Sequence, residues 1–178
     1  MKKSDILKMP EYFDRYIFLT DDVSYMDALK ISLSELEKAP LDKWISLREQ
    51  VYSPGKWTVK VILQHLIDTE RVFAYRITAI ARGDKQKMLS FDEDNYAKNT
   101  TANDRSVNDL LDELILIRKA TIAMFQSFST QMLHQSGNAY NGNQYCPLSL
   151  AFTLAGHQRW HLISLQEKYY PLLDRHAN

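Results

Sequence analysis

Apolar residues recur every three or four positions in four long stretches of the chain, which is the spacing of one face of an α-helix. The first stretch follows Asp21 or Asp22, either of which can cap a helix, and it ends before Pro40. Its apolar positions are Val23, Met26, Leu29, Leu33 and Leu36. We therefore predict a first helix between these limits.

The second stretch begins after Thr58, a residue type that caps helices well, and runs to Arg82. Gly83 follows, and glycine at this position stops a helix because it readily adopts the left-handed conformation. At 100° per residue, His65 falls on the apolar stripe of this helix, opposite a polar side that holds Lys60, Gln64, Arg71 and Thr78. The second helix therefore carries an inward-facing histidine.

A third helix is predicted over residues 106–128, where Ser106 can cap the first turn together with Asp109. Its apolar face is broad and contains Leu110, Leu111, Leu114, Ile117, Thr121, Ile122, Met124, Phe125 and Phe128.

A fourth helix is predicted to begin at Pro147, because proline suits a first turn, and to end before Pro171. His157 and His161 are four residues apart on this helix and fall within its core-facing stripe.

The remaining segments are shorter or lack a helical period. Residues 1–20 carry enough aromatic and aliphatic side chains to dock on a core, residues 40–56 suggest a short helical piece and a turn, and residues 84–105 read as a long connection. No strand-like alternation of any length occurs. We predict an all-α protein, a four-helix bundle that forms one domain over residues 1–178.

Composition excludes several classes of function. Lys plus Arg and Asp plus Glu number 22 each, so the chain lacks the basic excess of a nucleic-acid-binding protein. Cys146 is the single cysteine, which fits a reducing compartment. No apolar run resembles a secretion signal or a membrane span, so we expect a soluble cytoplasmic protein.

The histidines offer the chemistry that the composition does not exclude. Two histidines spaced i, i+4 project from one face of a helix, and His65 from a facing helix would complete a three-nitrogen metal site with open positions. Alternatively, His65 is a hydrogen-bonded core residue and the HxxxH pair lies by coincidence on a solvated face. The spacing alone does not decide between a metal site and this alternative.

Three residues near His65 are weaker candidates for catalysis. Thr69 lies one turn beyond His65, and Asp68 could orient a ligand imidazole, pair with Arg71 or remain solvated. Arg76 lies three turns along the same stripe, where it could neutralise an anionic substrate group or pair with an acidic residue of another helix.

The connections contain further candidates. Asp92, Glu93 and Asp94 could reach over a metal site, although such runs are usually solvated, and Asn95 and Tyr96 are weak pocket candidates.

Four aromatic residues lie beside the predicted site helices. Tyr140 and Tyr145 flank the start of the fourth helix and could line a pocket, whereas Trp57 and Trp160 are expected to pack in the core. His134 and His176 lie outside the inward stripes and are expected at the surface.

Three segments together resemble one known family. The runs YSPGKWTVKVILQHLIDTERVFAYRITAIARGD, FDEDNYA and LAGHQRWHL are similar to the DinB-like (DinB/YfiT-like) superfamily of four-helix-bundle proteins. The resemblance implies that His65, His157 and His161 bind a divalent metal ion. It also implies an up-down-down-up bundle and a homodimer.

The resemblance implies metal chemistry without fixing the reaction. Some relatives use the metal to activate a low-molecular-weight thiol or water toward a small-molecule electrophile, and zinc or nickel is favoured for three imidazoles. The alternative is a non-enzymatic, stress-related protein whose metal is structural. The chain offers no Ser/His/Asp order and no glycine-rich phosphate loop, so the metal itself must supply the activation.

Overall fold

The computed structural model describes residues 1–139 and 142–174, and four long helices form its framework. These are α2 (Tyr25–Glu37), α4 (Val59–Ala81), α6 (Val107–Gln126) and α8 (Pro147–Ser164). Shorter helices are α1 (Asp14–Ile17), α3 (Leu41–Leu47), α5 (Glu93–Lys98), α7 (Thr130–Leu133) and α9 (Tyr170–Asp174), and single 3₁₀ turns are formed by Lys3–Asp5 and Ala102–Asp104. The predicted four-helix bundle is confirmed.

Side-chain contacts reveal the relative directions of α4 and its neighbours. Contacts between α4 and α6 advance together along both helices, in the pairs Arg71–Glu113 and Thr78–Met124. Contacts between α4 and α8 run in opposite directions along the chain: His65 contacts His157, and Trp57, just before α4, contacts Tyr169, just after α8. Helix α4 is therefore parallel to α6 and antiparallel to α8.

Helix α2 completes the bundle by packing against α6 and α8. Its contacts with α6 advance in opposite directions, in the pairs Tyr25–Phe125 and Ser32–Arg118. Helix α2 is therefore antiparallel to α6, and the four helices run up, down, down and up, as predicted.

Polar side chains cap the N-termini of the long helices α4 and α6. The hydroxyls of Thr58 and Ser106 accept hydrogen bonds from the backbone N–H groups of Val61 and Asp109, as predicted. The predicted cap of α2, Asp21 or Asp22, is wrong.

Ser24 caps α2 instead, because its hydroxyl accepts a hydrogen bond from the backbone N–H of Asp27 at 3.1 Å. Asp22 accepts hydrogen bonds from Ser4 and so ties the N-terminal segment to the start of the bundle.

The last helix does not end before Pro171, contrary to prediction. It widens into a π-helix over Leu165–Tyr169, where the N–H of Tyr170 donates to the carbonyl of Leu165, and it continues as α9. The wider turn shifts the hydrogen-bond ladder just ahead of Pro171, whose ring would otherwise clash with the carbonyl four residues back.

The predicted long connection over residues 84–105 and the segment before α8 contain short regular elements. Strands β1 (Lys87–Met88), β2 (Gly137–Ala139) and β3 (Gln144–Tyr145) form a sheet in that order, parallel and then antiparallel. Helix α5 lies within the acidic segment and is capped by Asp92. Strands of two or three residues are too short to show an alternating pattern, which is why the sequence gives no sign of them.

One buried ion pair joins three helices of the bundle. Arg118 of α6 donates two hydrogen bonds to the carboxylate of Glu70 in α4, at 2.8 and 2.9 Å, and a third to the hydroxyl of Ser32 in α2. Arg118 and Glu70 are 2% and 1% exposed, so each charge depends on the other for compensation.

Replacing Arg118 by Met should lower the free energy of unfolding by about 3–5 kcal/mol, because it leaves the Glu70 carboxylate buried and unpaired. Urea denaturation of the variant measures this loss. The double variant Glu70→Leu/Arg118→Met removes both charges and should recover most of it. A double variant no more stable than the single one would contradict this account.

Glycine lets the N-terminal segment cross α8 at very short range. A Cβ at position 156 would lie 1.8 Å from the backbone oxygen of Tyr16, a residue of α1. Because no side chain fits there, Gly156 fixes the place where this segment lies over the bundle.

Gly156→Ala should destabilise the protein by about 2–3 kcal/mol through overpacking, although alanine normally stabilises a helix interior relative to glycine. The Tyr16 ring packs edge-on against Trp160, so displacement of the segment should change tryptophan fluorescence as well. Thermal unfolding and an emission spectrum measure both effects. A variant as stable as wild type, with unchanged fluorescence, would show that the close approach does not exist.

Candidate metal centre

The antiparallel packing of α4 and α8 brings three histidines together. His65 lies two turns into α4, and His157 and His161 lie one turn apart on α8. Their Nε2 atoms converge: that of His157 is 3.1 Å from that of His65 and 3.1 Å from that of His161. The side chains that the sequence singled out therefore meet in space.

Hydrogen bonding accounts for only part of this cluster. A ring nitrogen carries either one proton or one lone pair, so Nε2 of His157 makes at most one hydrogen bond to its two neighbours. Two nitrogens bound at about 2.0–2.1 Å to one tetrahedral ion would lie about 3.3 Å apart. The observed spacing fits a shared cation, because one ion satisfies all three lone pairs.

Burial keeps the three imidazoles neutral, which is the form that binds metal. Desolvation lowers the pKa of His65 to about 4, although the nearby charge of Asp94 opposes the shift. Desolvation, together with His65, lowers the pKa of His161 to about 3. Burial also lowers the pKa of His157 well below its usual value.

Aromatic rings surround the imidazoles. The ring of Trp57 lies 4.8 Å from that of His65 and stacks on that of His161, with centroids 6.5 Å apart and planes 15° apart. The Tyr16 ring packs edge-on against His157. Trp160 is 44% exposed. The expectation of core packing is therefore wrong for Trp160, whereas Trp57 packs against the core as expected. Both tryptophans help to line the histidine site.

A cavity of about 190 Å³, here called the histidine cavity, reaches all three imidazoles. Thr69 lines it as well, in agreement with its place one turn beyond His65. The Thr69 hydroxyl is buried and has no hydrogen-bond partner among residues 1–139 and 142–174. It is therefore available to a molecule that enters the cavity.

Asp68 makes neither of the two contacts that were considered for it. Its carboxylate accepts a hydrogen bond from the Gln64 side chain at 2.9 Å. Arg71, its alternative partner, instead forms an ion pair with Glu113. Asp68 therefore neither orients a histidine ring by hydrogen bonding nor pairs with Arg71.

Arg76 lines a second cavity of about 360 Å³, here called the Arg76 cavity. The guanidinium is 7% exposed and donates a hydrogen bond to the backbone oxygen of Leu89. Within the described part of the chain no carboxylate pairs with it, so the predicted ion pair with another helix is wrong. Burial lowers the pKa of Arg76 from its usual value.

The acidic segment contributes one residue to both cavities. Glu93 lines the histidine cavity and the Arg76 cavity, while Asp92, Glu93 and Asp94 are all exposed, as expected of a solvated acidic run. Asn95 accepts a hydrogen bond from Asn99, and Tyr96 packs against Phe91. Neither Asn95 nor Tyr96 lines the histidine cavity or the Arg76 cavity.

Two of the remaining candidates lie within the described residues, and two do not. Tyr145 lines the Arg76 cavity, as expected of a pocket residue. His134 is half-buried at the end of α7, apart from the cluster. Tyr140 and His176 lie outside the described residues.

The N-terminal segment supplies site residues that the sequence did not identify. Tyr12 and Tyr16 line the histidine cavity, and Phe91 after β1 lines both cavities. The aromatic content of the segment indicated docking on the core. Its position over α8 depends on the contact with Gly156, which no local pattern reveals.

No fourth residue joins the cluster within the described ranges. The histidines are the only His, Cys, Asp or Glu side chains there whose ligand atoms gather around that point, all within 4.8 Å of one another. Three ligands beside a cavity are typical of catalytic metal sites, whereas structural zinc sites usually have four.

In the same part of the chain, no helix has the length and apolar character needed to span a lipid bilayer.

Comparison with known proteins supports both the fold and the family. A sequence model described as the DinB superfamily matches residues 25–165, which include all four long helices. No curated protein sequence matches the chain significantly.

One solved structure has the same fold. YfiT from Bacillus subtilis, described as a probable metal-dependent hydrolase with an unusual four-helix bundle topology, aligns with a TM-score of 0.67 and 15% sequence identity. The alignment covers 94% of this chain and 88% of YfiT. At this identity the likeness shows a shared fold.

The buried imidazoles should make the metal-free protein sensitive to acid. With a chelator present, the free energy of unfolding should fall as the pH drops from about 6.5 toward 4, because the unfolded chain then binds protons that folded His65 does not bind. Protonation of His65 in the unfolded chain costs the fold little stability above pH 6.5. By pH 4 it lowers the free energy of unfolding by about 3 kcal/mol. Urea denaturation at several pH values measures it.

His65→Gln should reduce this slope, and His134→Gln should leave it unchanged. Carboxylates also contribute to acid unfolding, so the difference between variants decides the outcome. Identical slopes in wild type and His65→Gln would show that His65 is not held neutral by the fold.

Proposed function

The chain belongs to the DinB superfamily, and from that premise we propose that His65, His157 and His161 bind one divalent metal ion in a metal-dependent enzyme. One observation carries the proposal. Three neutral imidazoles direct their Nε2 atoms at a common point beside a cavity. That arrangement is suited to a catalytic ion with an open position.

The proposed reaction is attack of a low-molecular-weight thiol or of water on a small-molecule electrophile. A divalent ion held by neutral ligands keeps its full charge and lowers the pKa of a coordinated thiol or water toward neutrality. Zinc and nickel are the proposed metals, because both accept imidazole ligands.

The side chains around the histidine cavity would assist this reaction in different ways. The Trp57 and Tyr16 rings cover the imidazoles and limit the access of bulk water. The unpartnered Thr69 hydroxyl would hydrogen-bond to the reactants. Glu93 lines the cavity, where its carboxylate would accept a proton from the entering thiol or water.

A non-enzymatic protein with a structural metal is the alternative. Such a site would be expected to have a fourth protein ligand, and the described residues place none at the cluster. The cavity beside the imidazoles also favours a reactant over a closed site. We therefore retain the enzyme as the proposed function.

Metal binding is the first test. Protein expressed without a histidine tag, stripped with a chelator and dialysed against Zn²⁺ or Ni²⁺, should retain about one ion per chain by elemental analysis. His161→Gln should weaken metal binding by more than about 100-fold, since even residues that only orient metal ligands contribute 10- to 100-fold. His134→Gln is the matched control and should bind as wild type does.

Turnover by the same proteins tests catalysis. A panel of electrophiles, with water alone or with several biological thiols, should reveal an activity that requires metal and is lost in His161→Gln. Equal metal content in wild type and His161→Gln would refute the proposed ligands. Equal turnover by wild type and His161→Gln for every reactive combination of electrophile and thiol or water would favour a structural role for the metal.

A further inference from the structure

Arg76 is a buried cation without a buried anion. Its polar partner within the described ranges is the Leu89 carbonyl, its guanidinium carbon lies 5.3 Å from the centre of the Phe73 ring, and its Nε has no hydrogen-bond partner. Desolvating a charge without an opposite charge costs stability. This cost needs an explanation that packing does not supply.

The Arg118 guanidinium shows what full compensation looks like in the same bundle. It is also buried, yet it forms two hydrogen bonds with the Glu70 carboxylate. An anion in the Arg76 cavity would supply for Arg76 what Glu70 supplies for Arg118.

The Arg76 cavity is suited to a molecule that is apolar over most of its length. Apolar lining is contributed by Phe13, Met88, Phe91 and Ala139. The Tyr145 hydroxyl is buried without a partner on the same lining, and Ser90 and Asn143 add polar edges. A volume of about 360 Å³ accommodates a small organic molecule.

The Arg76 cavity and the histidine cavity are neighbours. Both are lined by Tyr12, Phe91 and Glu93, so a single molecule can extend from one to the other. His65 and Arg76 are separated by eleven residues of α4, or roughly 16 Å along the helix. A molecule that reaches both side chains must therefore be elongated.

We propose that the Arg76 cavity binds the carboxylate end of an elongated, largely apolar substrate whose other end reaches the histidine cavity. The first half concerns Arg76 alone, and the second half rests on the proposed function. A carboxylate fits better than a phosphate ester because Arg76 is the only cation that lines the cavity in the described structure, while Glu11 and Glu93 line it too. A dianion would meet too little positive charge there.

Calorimetric titration with octanoate and 1-octanol separates the charge from the apolar chain. Wild-type protein should bind octanoate at least 10-fold more tightly than 1-octanol. Arg76→Met should bind octanoate about 10- to 100-fold more weakly and should bind 1-octanol unchanged. Arg82→Met removes an exposed guanidinium from the end of the same helix and should behave as wild type.

His161→Gln separates this proposal from the proposed metal site. Octanoate affinity should persist in His161→Gln and in chelator-treated wild type, because the carboxylate is bound by Arg76. Affinity lost in both would show that the carboxylate binds a metal ion and would overturn the proposal. Failure of metal binding, with octanoate affinity intact, would refute the proposed function alone.

Stability distinguishes a binding role from a structural one. Arg76→Met removes an uncompensated buried charge, so its melting temperature should equal or exceed that of wild type. Arg76→Lys keeps the charge without the planar fork and should show intermediate octanoate affinity. Equal affinity of wild type for octanoate and 1-octanol, or tighter binding of octyl phosphate, would overturn the carboxylate assignment. So would octanoate affinity retained in Arg76→Met.

Discussion

The antiparallel contact between α4 and α8 is the constraint on which the site depends. It sets one histidine of α4 opposite two of α8, with His157 buried and the other two partly buried. The convergence of the three ring nitrogens results from that packing, and burial keeps the imidazoles neutral. The aromatic residues around them extend the dry environment, so the chemistry of the site follows from how two helices meet.

Local sequence patterns predicted the helices and the meeting of the three histidines. The caps at Thr58 and Ser106 followed from residue type, and His65 followed from its place on an apolar stripe. The short strands and α5 did not follow, since two to six residues are too few to show a period. The roles of Arg76 and Glu93 required the tertiary structure, because the connections that place β1 and α5 near α4 carry no local signal of their destination.

Two buried arginines show how one bundle separates stability from binding. Arg118 is fully paired and joins α2, α4 and α6, so its charge is compensated within the protein. Arg76 faces a cavity with a carbonyl as its polar partner in the described residues. Both positions look alike in the sequence, as single basic residues within apolar helical stripes. Only their surroundings distinguish a structural charge from one that is available to a ligand.

Gly156, the residue directly before the HxxxH pair, carries structural information of its own. The N-terminal segment can roof His157 only because nothing projects from position 156 toward the oxygen of Tyr16. A chain with the same histidines and a larger residue at that place would have to route its N-terminal segment elsewhere, and its imidazoles would then face open water. The histidine motif identifies the three imidazoles that converge, whereas the glycine before it determines whether the N-terminal segment can cover them.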